Sequence, residues 1–199
     1  QLGTWYPMGG MHKIVQGMVA LAEEKGVKIL YNQEVQKVVV NNGIAKQVIT
    51  NQGTFDTDAV VASADYHHVE DKILGQNYRN YDEEYWDKRV MAPSSLLFYL
   101  GVNKRIPKLL HHNLFFDEDF DTHASDIYKN PKWPRKPLFY ASCPSKTDPS
   151  VAPETGENLF LLIPIAPNLE DSEEQREAYF EILRNRLIEK IGFDINPHI

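Results

Sequence analysis

Gly3-Thr4-Trp5-Tyr6-Pro7-Met8-Gly9-Gly10-Met11-His12 runs without a break into an amphipathic pattern. Across residues 10–25, Met11, Ile14, Val15, Met18, Leu21 and Ala22 recur at helical spacing and form one apolar stripe. Gly26 stands where a left-handed C-terminal cap is expected. A short strand is expected over residues 27–31 and a Val-rich one over 34–40. Asn41-Asn42-Gly43 is a turn signal, because Asn and Gly both accept positive φ. Residues 45–50 should pair back across it. Asn51-Gln52-Gly53 makes a second turn, with a strand at 54–56. Asp58-Ala59-Val60-Val61-Ala62-Ser63-Ala64-Asp65 then offers a run of small apolar residues. Such a run over 59–64 reads as a strand covered on both faces. Glycine pair, helix, β-meander and buried strand together predict an α/β (α+β) chain.

Further along, residues 66–74 read as a helix stopped at Gly75, and 76–88 as a polar, Tyr-rich connection. Residues 94–102 suit a buried strand, and 114–116, 138–142 and 159–165 are further strand candidates. Pro131, Pro134 and Pro137 break any helix between them. Residues 144–157 read as a loop. The last helix has the clearest local signals. Ser172-Glu173-Glu174-Gln175 matches a capping box. Phe180, Leu183, Leu187 and Ile191 form its buried stripe, and Gly192 ends it.

The chain has 199 residues, 42% of them hydrophobic and 25% charged, which is enough for a real core in one or two domains. Its net charge is −7 and no Lys/Arg cluster occurs, which argues against nucleic acid as a partner. No apolar run reaches the ~18 residues that a membrane-spanning helix needs. A single cysteine, Cys143, excludes an internal disulfide and fits a reducing, cytoplasmic setting. The sequence begins with Gln1 and has no signal-peptide pattern, so it reads as an internal piece of a longer protein.

By itself the Gly9-Gly10 pair reads as a tight turn into a helix. Glycine also lets backbone approach a ligand closely, and the first N–H groups of a helix favour negative charge. Context raises that second reading. After the helix come Glu34-Val35-Gln36-Lys37-Val38, the hairpin, Asp58-Ala59-Val60-Val61 and Ala64-Asp65. Later come His111-His112-Asn113-Leu114-Phe115-Phe116, Pro137-Leu138-Phe139-Tyr140, Thr147-Asp148-Pro149-Ser150-Val151-Ala152-Pro153 and Gly156-Glu157-Asn158-Leu159. This ordered set resembles the central segment of the phytoene desaturase (phytoene dehydrogenase) family, within the flavin-containing amine oxidase superfamily.

The resemblance implies an FAD-dependent oxidoreductase that dehydrogenates a long apolar polyene in carotenoid biosynthesis, at a membrane surface. In such enzymes the flavin takes a hydride and passes the electrons to a further acceptor. Residues 1–65 are expected to be part of a Rossmann-like FAD domain. Residues 66–199 are expected to form the substrate-binding domain, a mostly antiparallel sheet with flanking helices. By family position, Val35 is expected near the adenine end of FAD. Ala62, Ser63 and Ala64 are expected where small side chains leave room for the dinucleotide, although relatives often have Ser-Asn-Ala there. Gly9 and Gly10 are expected at the turn near the flavin ring. Met11, His12, His111 and His112 are expected toward the substrate channel. No glycine fingerprint of the GxGxxG type occurs. Family members carry one before the point where this chain starts, and a second glycine-rich motif after the point where it stops. The piece alone is therefore expected to bind FAD weakly or not at all and to be inactive.

Other readings stand beside this one. Another flavin oxidoreductase of the superfamily (a saturase, isomerase or amine oxidase) fits the same motifs, as does a non-catalytic lipid- or partner-binding domain. The pairs His67-His68 and His111-His112 invite a metal. Adjacent residues on a strand point to opposite faces, however, and no HExxH or Cys-rich spacing supports a site. Surface, hydrogen-bonded histidines are the plainer reading, for His123 as well. Phe98, Tyr99, Phe115, Phe116, Phe139 and Tyr140 are either ordinary core or the lining of an apolar channel. Cys143 reads as structural, and no general acid or base can be named.

Overall fold

The structure, a computed structural model, describes residues 3–199. The chain divides into two compact units. One holds the described residues up to Ala20 together with Met91–Ile199, and the other holds Leu21–Val90. The boundary expected at 65/66 falls inside the second unit.

In the larger unit, β4 (Ser94–Val102), β5 (His112–Phe115), β6 (Phe139–Ser142) and β7 (Glu157–Ile165) form one antiparallel sheet in the order β4-β7-β6-β5. Side chains alternate between the faces of a strand, and β7 shows this plainly. Glu157, Leu159, Leu161, Ile163 and Ile165 are buried, while Asn158, Phe160, Leu162 and Pro164 are only partly so. The buried face joins one core with α5 (Glu173–Ile191), which contributes Tyr179, Leu183, Leu187 and Ile191 at four-residue spacing. Ser172 caps α5, its Oγ accepting from the Gln175 N–H at 3.2 Å, and Gly192 closes it at φ +71°. The expected stripe is thus correct except that Tyr179, rather than Phe180, is its buried first member. Phe180 packs half-buried against Phe98 at 5.4 Å.

The helix α4 (Phe120–Tyr128) was not legible in the sequence. Its His123 is buried, not a surface residue. The Leu138 N–H donates to Nδ1 at 3.0 Å, so Nε2 carries the ring proton and donates to the Pro164 carbonyl at 2.8 Å. The ring therefore pins α4 to the sheet.

The smaller unit contains the meander β1 (Val35–Asn41), β2 (Ile44–Thr50) and β3 (Thr54–Asp56). Asn42 and Gly43 both take positive φ, at +51° and +75°, as the β1–β2 turn requires. Residues 66–74 do coil, but as a short α2 (Tyr66–His68) that widens into a π turn, Val69–Ile73. The connection after it holds α3 (Glu83–Asp87).

Two expectations fail, and one helix forms without being covered. Residues 27–31 form no strand. Residues 59–64 carry no ladder and are exposed. A strand of small apolar residues needs neighbours on both edges, and no described strand pairs with this one. α1 (His12–Glu24) forms as predicted, yet its apolar stripe is exposed along Met11, Ile14, Val15, Met18 and Leu21.

Candidate functional site

In the larger unit, three segments far apart in sequence meet at one end of the sheet. Gly9 and Gly10 sit at φ +90° and +96°, which only glycine adopts freely. The Gly9 N–H donates to Asp148 Oδ2 at 2.5 Å. Asp148 is only 2% exposed, and its Oδ1 accepts from the Ser150 N–H at 3.0 Å and the Ser150 hydroxyl at 2.6 Å. The Ser150 hydroxyl and the Gly9 N–H hold this carboxyl below the usual range, against the opposing effect of burial. Tyr6 sets its ring edge-on to His111 at 4.8 Å, and burial and the Asp148 charge push its phenol up. His111 Nδ1 meets Thr147 Oγ1 at 2.8 Å.

The two adjacent histidines do not diverge as strand alternation predicts. Their rings stack with centroids 4.2 Å apart. The reason is that β5 begins at His112, so His111 lies outside the pleat. Burial and the neighbouring His112 hold His111 below the ordinary imidazole range. His112 Nδ1 in turn meets Tyr140 Oη at 2.5 Å. Met11, just before α1, and His12, its first residue, are exposed, Met11 by 62%. Among the described residues no three His, Cys, Asp or Glu side chains gather to hold a metal ion.

The sheet face away from the core continues from this cluster. Its register aligns Tyr99, Phe160, Ser142 and His112 in one row across the strands, and Leu97, Leu162, Tyr140 and Leu114 in the next. Tyr99 is 77% exposed and lies 5.0 Å from Phe160, ring to ring. The aromatic residues thus divide by alternation. Phe139 is core, Phe98 and Phe115 pack against the core, and Tyr99 and Tyr140 belong to the open face. Phe116, just past β5, is 58% exposed.

In the smaller unit, Val35, Ala62, Ser63 and Ala64 line one cavity of about 610 Å³, together with Val38, Val48, Val60 and Ile73. These four candidates therefore do come together, around a space that is mostly apolar. A buried carboxylate, Glu70, lies on the π turn. Burial pushes Glu70 up, but the Asn80 N–H and the Tyr66 hydroxyl, at 2.8 and 2.9 Å, outweigh that and hold it low.

Sequence reasoning gave Asp148, Thr147 and Tyr6 no role. Asp148-Pro149-Ser150 does carry a local signal, an Asp positioned to accept from the residue two ahead. Its partner Gly9 lies 139 residues away, which no local pattern shows.

The family profile for flavin containing amine oxidoreductases matches residues 1–187. The chain is 40% identical over 198 residues to a carotenoid 3,4-desaturase of Haloarcula japonica, covering all of this chain and 40% of that protein. It is 33% identical over 165 residues to a zeta-carotene-forming phytoene desaturase of Myxococcus xanthus, covering 82% of this chain and 31% of that protein. An oxidoreductase from Methanosarcina mazei shares the fold, with a TM-score of 0.68 at 17% identity over 95% of this chain and 40% of that one. The chain thus spans two fifths or less of these relatives, and it belongs to the flavin containing amine oxidoreductase family.

Proposed function

We propose that this chain is the substrate-side part, with some of the flavin domain, of an FAD-dependent carotenoid desaturase that dehydrogenates a long apolar polyene. The observation that carries the reading is the open sheet face. Leu97, Tyr99, Phe160, Leu162 and Leu114 spread across it, with Tyr140 and His112 toward the β5 edge. Ligand sites for apolar molecules are built this way, mostly hydrophobic and aromatic with a few polar groups to fix orientation. The desaturase names of the relatives support the same reading.

Each unit, taken by itself, carries residues that fit a ring portion of a flavin nucleotide. Gly9 and Gly10 offer backbone without a side chain in the way, and Val35, Ala62, Ser63 and Ala64 border an apolar cavity. The residues bordering that cavity include no basic side chain to meet a pyrophosphate. When bound, a flavin supplies the two-electron chemistry of a dehydrogenation. The chain's own contribution is to hold the polyene against the sheet. Among the described residues no helix is long and apolar enough to cross a membrane. We place the protein on the cytoplasmic side, peripheral to the membrane that stores such substrates.

The test is the visible spectrum of the longer parent protein beside that of this chain. A flavin spectrum in the parent, with turnover of phytoene or a related polyene, supports the proposal. A parent that takes up no flavin even when FAD is added overturns it.

A further inference from the structure

We infer that Asp148 is a positioning residue, whose carboxylate latches the Gly9-Gly10 turn onto the 147–150 loop. That the turn faces a flavin rests on the reading above; the latch itself does not.

The two carboxylate oxygens do separate work. Oδ1 is satisfied locally by the Ser150 N–H and hydroxyl, which fixes the orientation of the carboxylate. Oδ2 is thereby aimed at the Gly9 N–H, 139 residues away. A charged acceptor makes a shorter and stronger bond than a neutral one, roughly twice as strong. The turn has need of it. Gly9 and Gly10 have no side chains with which to anchor themselves, and a glycine backbone explores more conformations than any other. Inside the turn, the Gly10 N–H bonds to the Pro7 carbonyl at 3.1 Å, and the Gly10 carbonyl accepts from the Lys13 N–H at 3.0 Å, which joins the turn to α1 but not to the 147–150 loop. Tyr6, just before the turn, adds an indirect contact to the same region, its ring against His111, whose Nδ1 meets Thr147.

The chemistry of the side chain gives a clean separation. An asparagine presents one oxygen and one NH2 group. With its oxygen kept toward Ser150, the NH2 faces the Gly9 N–H, donor against donor. Asp148→Asn therefore opens the latch and leaves the loop, whereas Ser150→Ala removes one loop bond and leaves the latch.

Amide hydrogen exchange of this 199-residue chain, followed by NMR, reads the difference directly. In Asp148→Asn the Gly9 amide should exchange at least tenfold faster while the amides of β6 and β7 keep their protection. Ser150→Ala should leave Gly9 as in the parent sequence. The inference is overturned if Gly9 exchanges no faster in Asp148→Asn, if β6 and β7 loosen as much as Gly9, or if Ser150→Ala loosens Gly9 equally. In the longer flavin-bearing protein, Asp148→Asn should also shift the flavin absorption bands. A longer protein without flavin would sink the flavin reading alone, since the exchange result is independent of it.

Discussion

Glu157 occupies a core position of β7, where an apolar residue would be expected, with its side chain fully buried. Its tolerance comes from partners. Lys146 Nζ lies 2.5 Å from Oε1, the Ser145 hydroxyl donates to Oε2, and Arg105 reaches Oε2 at 3.2 Å. Burial pushes its carboxyl up, but the Lys146 and Ser145 hydrogen bonds and the two cationic charges outweigh that and hold it low. Cys143 sits beside this group, with its Sγ 3.6 Å from Oε2. Burial pushes the thiol up to about 11, against the lowering effect of the Ser145 hydroxyl and with the Glu157 charge adding to the rise. A thiolate is the reactive form of cysteine. The folded protein at pH ~8 should therefore fail to react with a disulfide reagent such as DTNB, and should release one equivalent of chromophore in denaturant. Rapid labelling of the folded protein would contradict the buried placement of Cys143.

Among the elements, α5 shows how a stripe becomes a core. Leu183 and Leu187 are fully buried, while the adjacent Ile188 is 36% exposed. Leu187→Ala should cost about 2–5 kcal/mol, because the removed methyl groups leave a cavity that dense packing cannot refill. Ile188→Ala should cost well under half of that, since much of its side chain already meets water. Urea unfolding followed by circular dichroism checks the pair, and equal losses would place both residues in the same environment. The open sheet face is the counterpart of this stripe. It is just as regular, yet nothing in the described chain packs over Tyr99 or Leu114, which are 77% and 65% exposed.

Across the whole molecule, several carboxylates titrate below their usual range. Asp117 is held low by hydrogen bonds from Lys190 and Arg186 that outweigh its burial, and Glu157 and Asp148 are low for the reasons above. A carboxylate whose pKa falls on folding stabilises fully above its unfolded value, near ~4, and loses that contribution as the pH drops through its folded value. His111 has the opposite charge type but the same direction of effect. Its folded pKa is depressed, so its share is intact above the ordinary imidazole value of about 6.5 and is lost as the pH falls from there through the lower folded value. Thermal melts should show a small decline in Tm below pH ~6.5 and a steeper one below pH ~4. A Tm that holds constant down to pH ~3 would mean that these groups are solvated alike in the folded and unfolded chain. The sequence by itself determined what depends on neighbours in the chain. The Asn42-Gly43 turn follows from positive φ, α5 from its cap, stripe and terminal glycine, and the strands from their β-rich runs. The family-like motif order was also legible there. Only the tertiary structure decided what depends on distant partners. It left 59–64 without a ladder, which the run of small residues could not reveal. It sorted the aromatic residues between core and open face, because alternation sets two faces but not which of them α5 will cover. It joined Gly9 to Asp148, a bond whose two ends share no local pattern and meet only because the sheet and its loops bring them together.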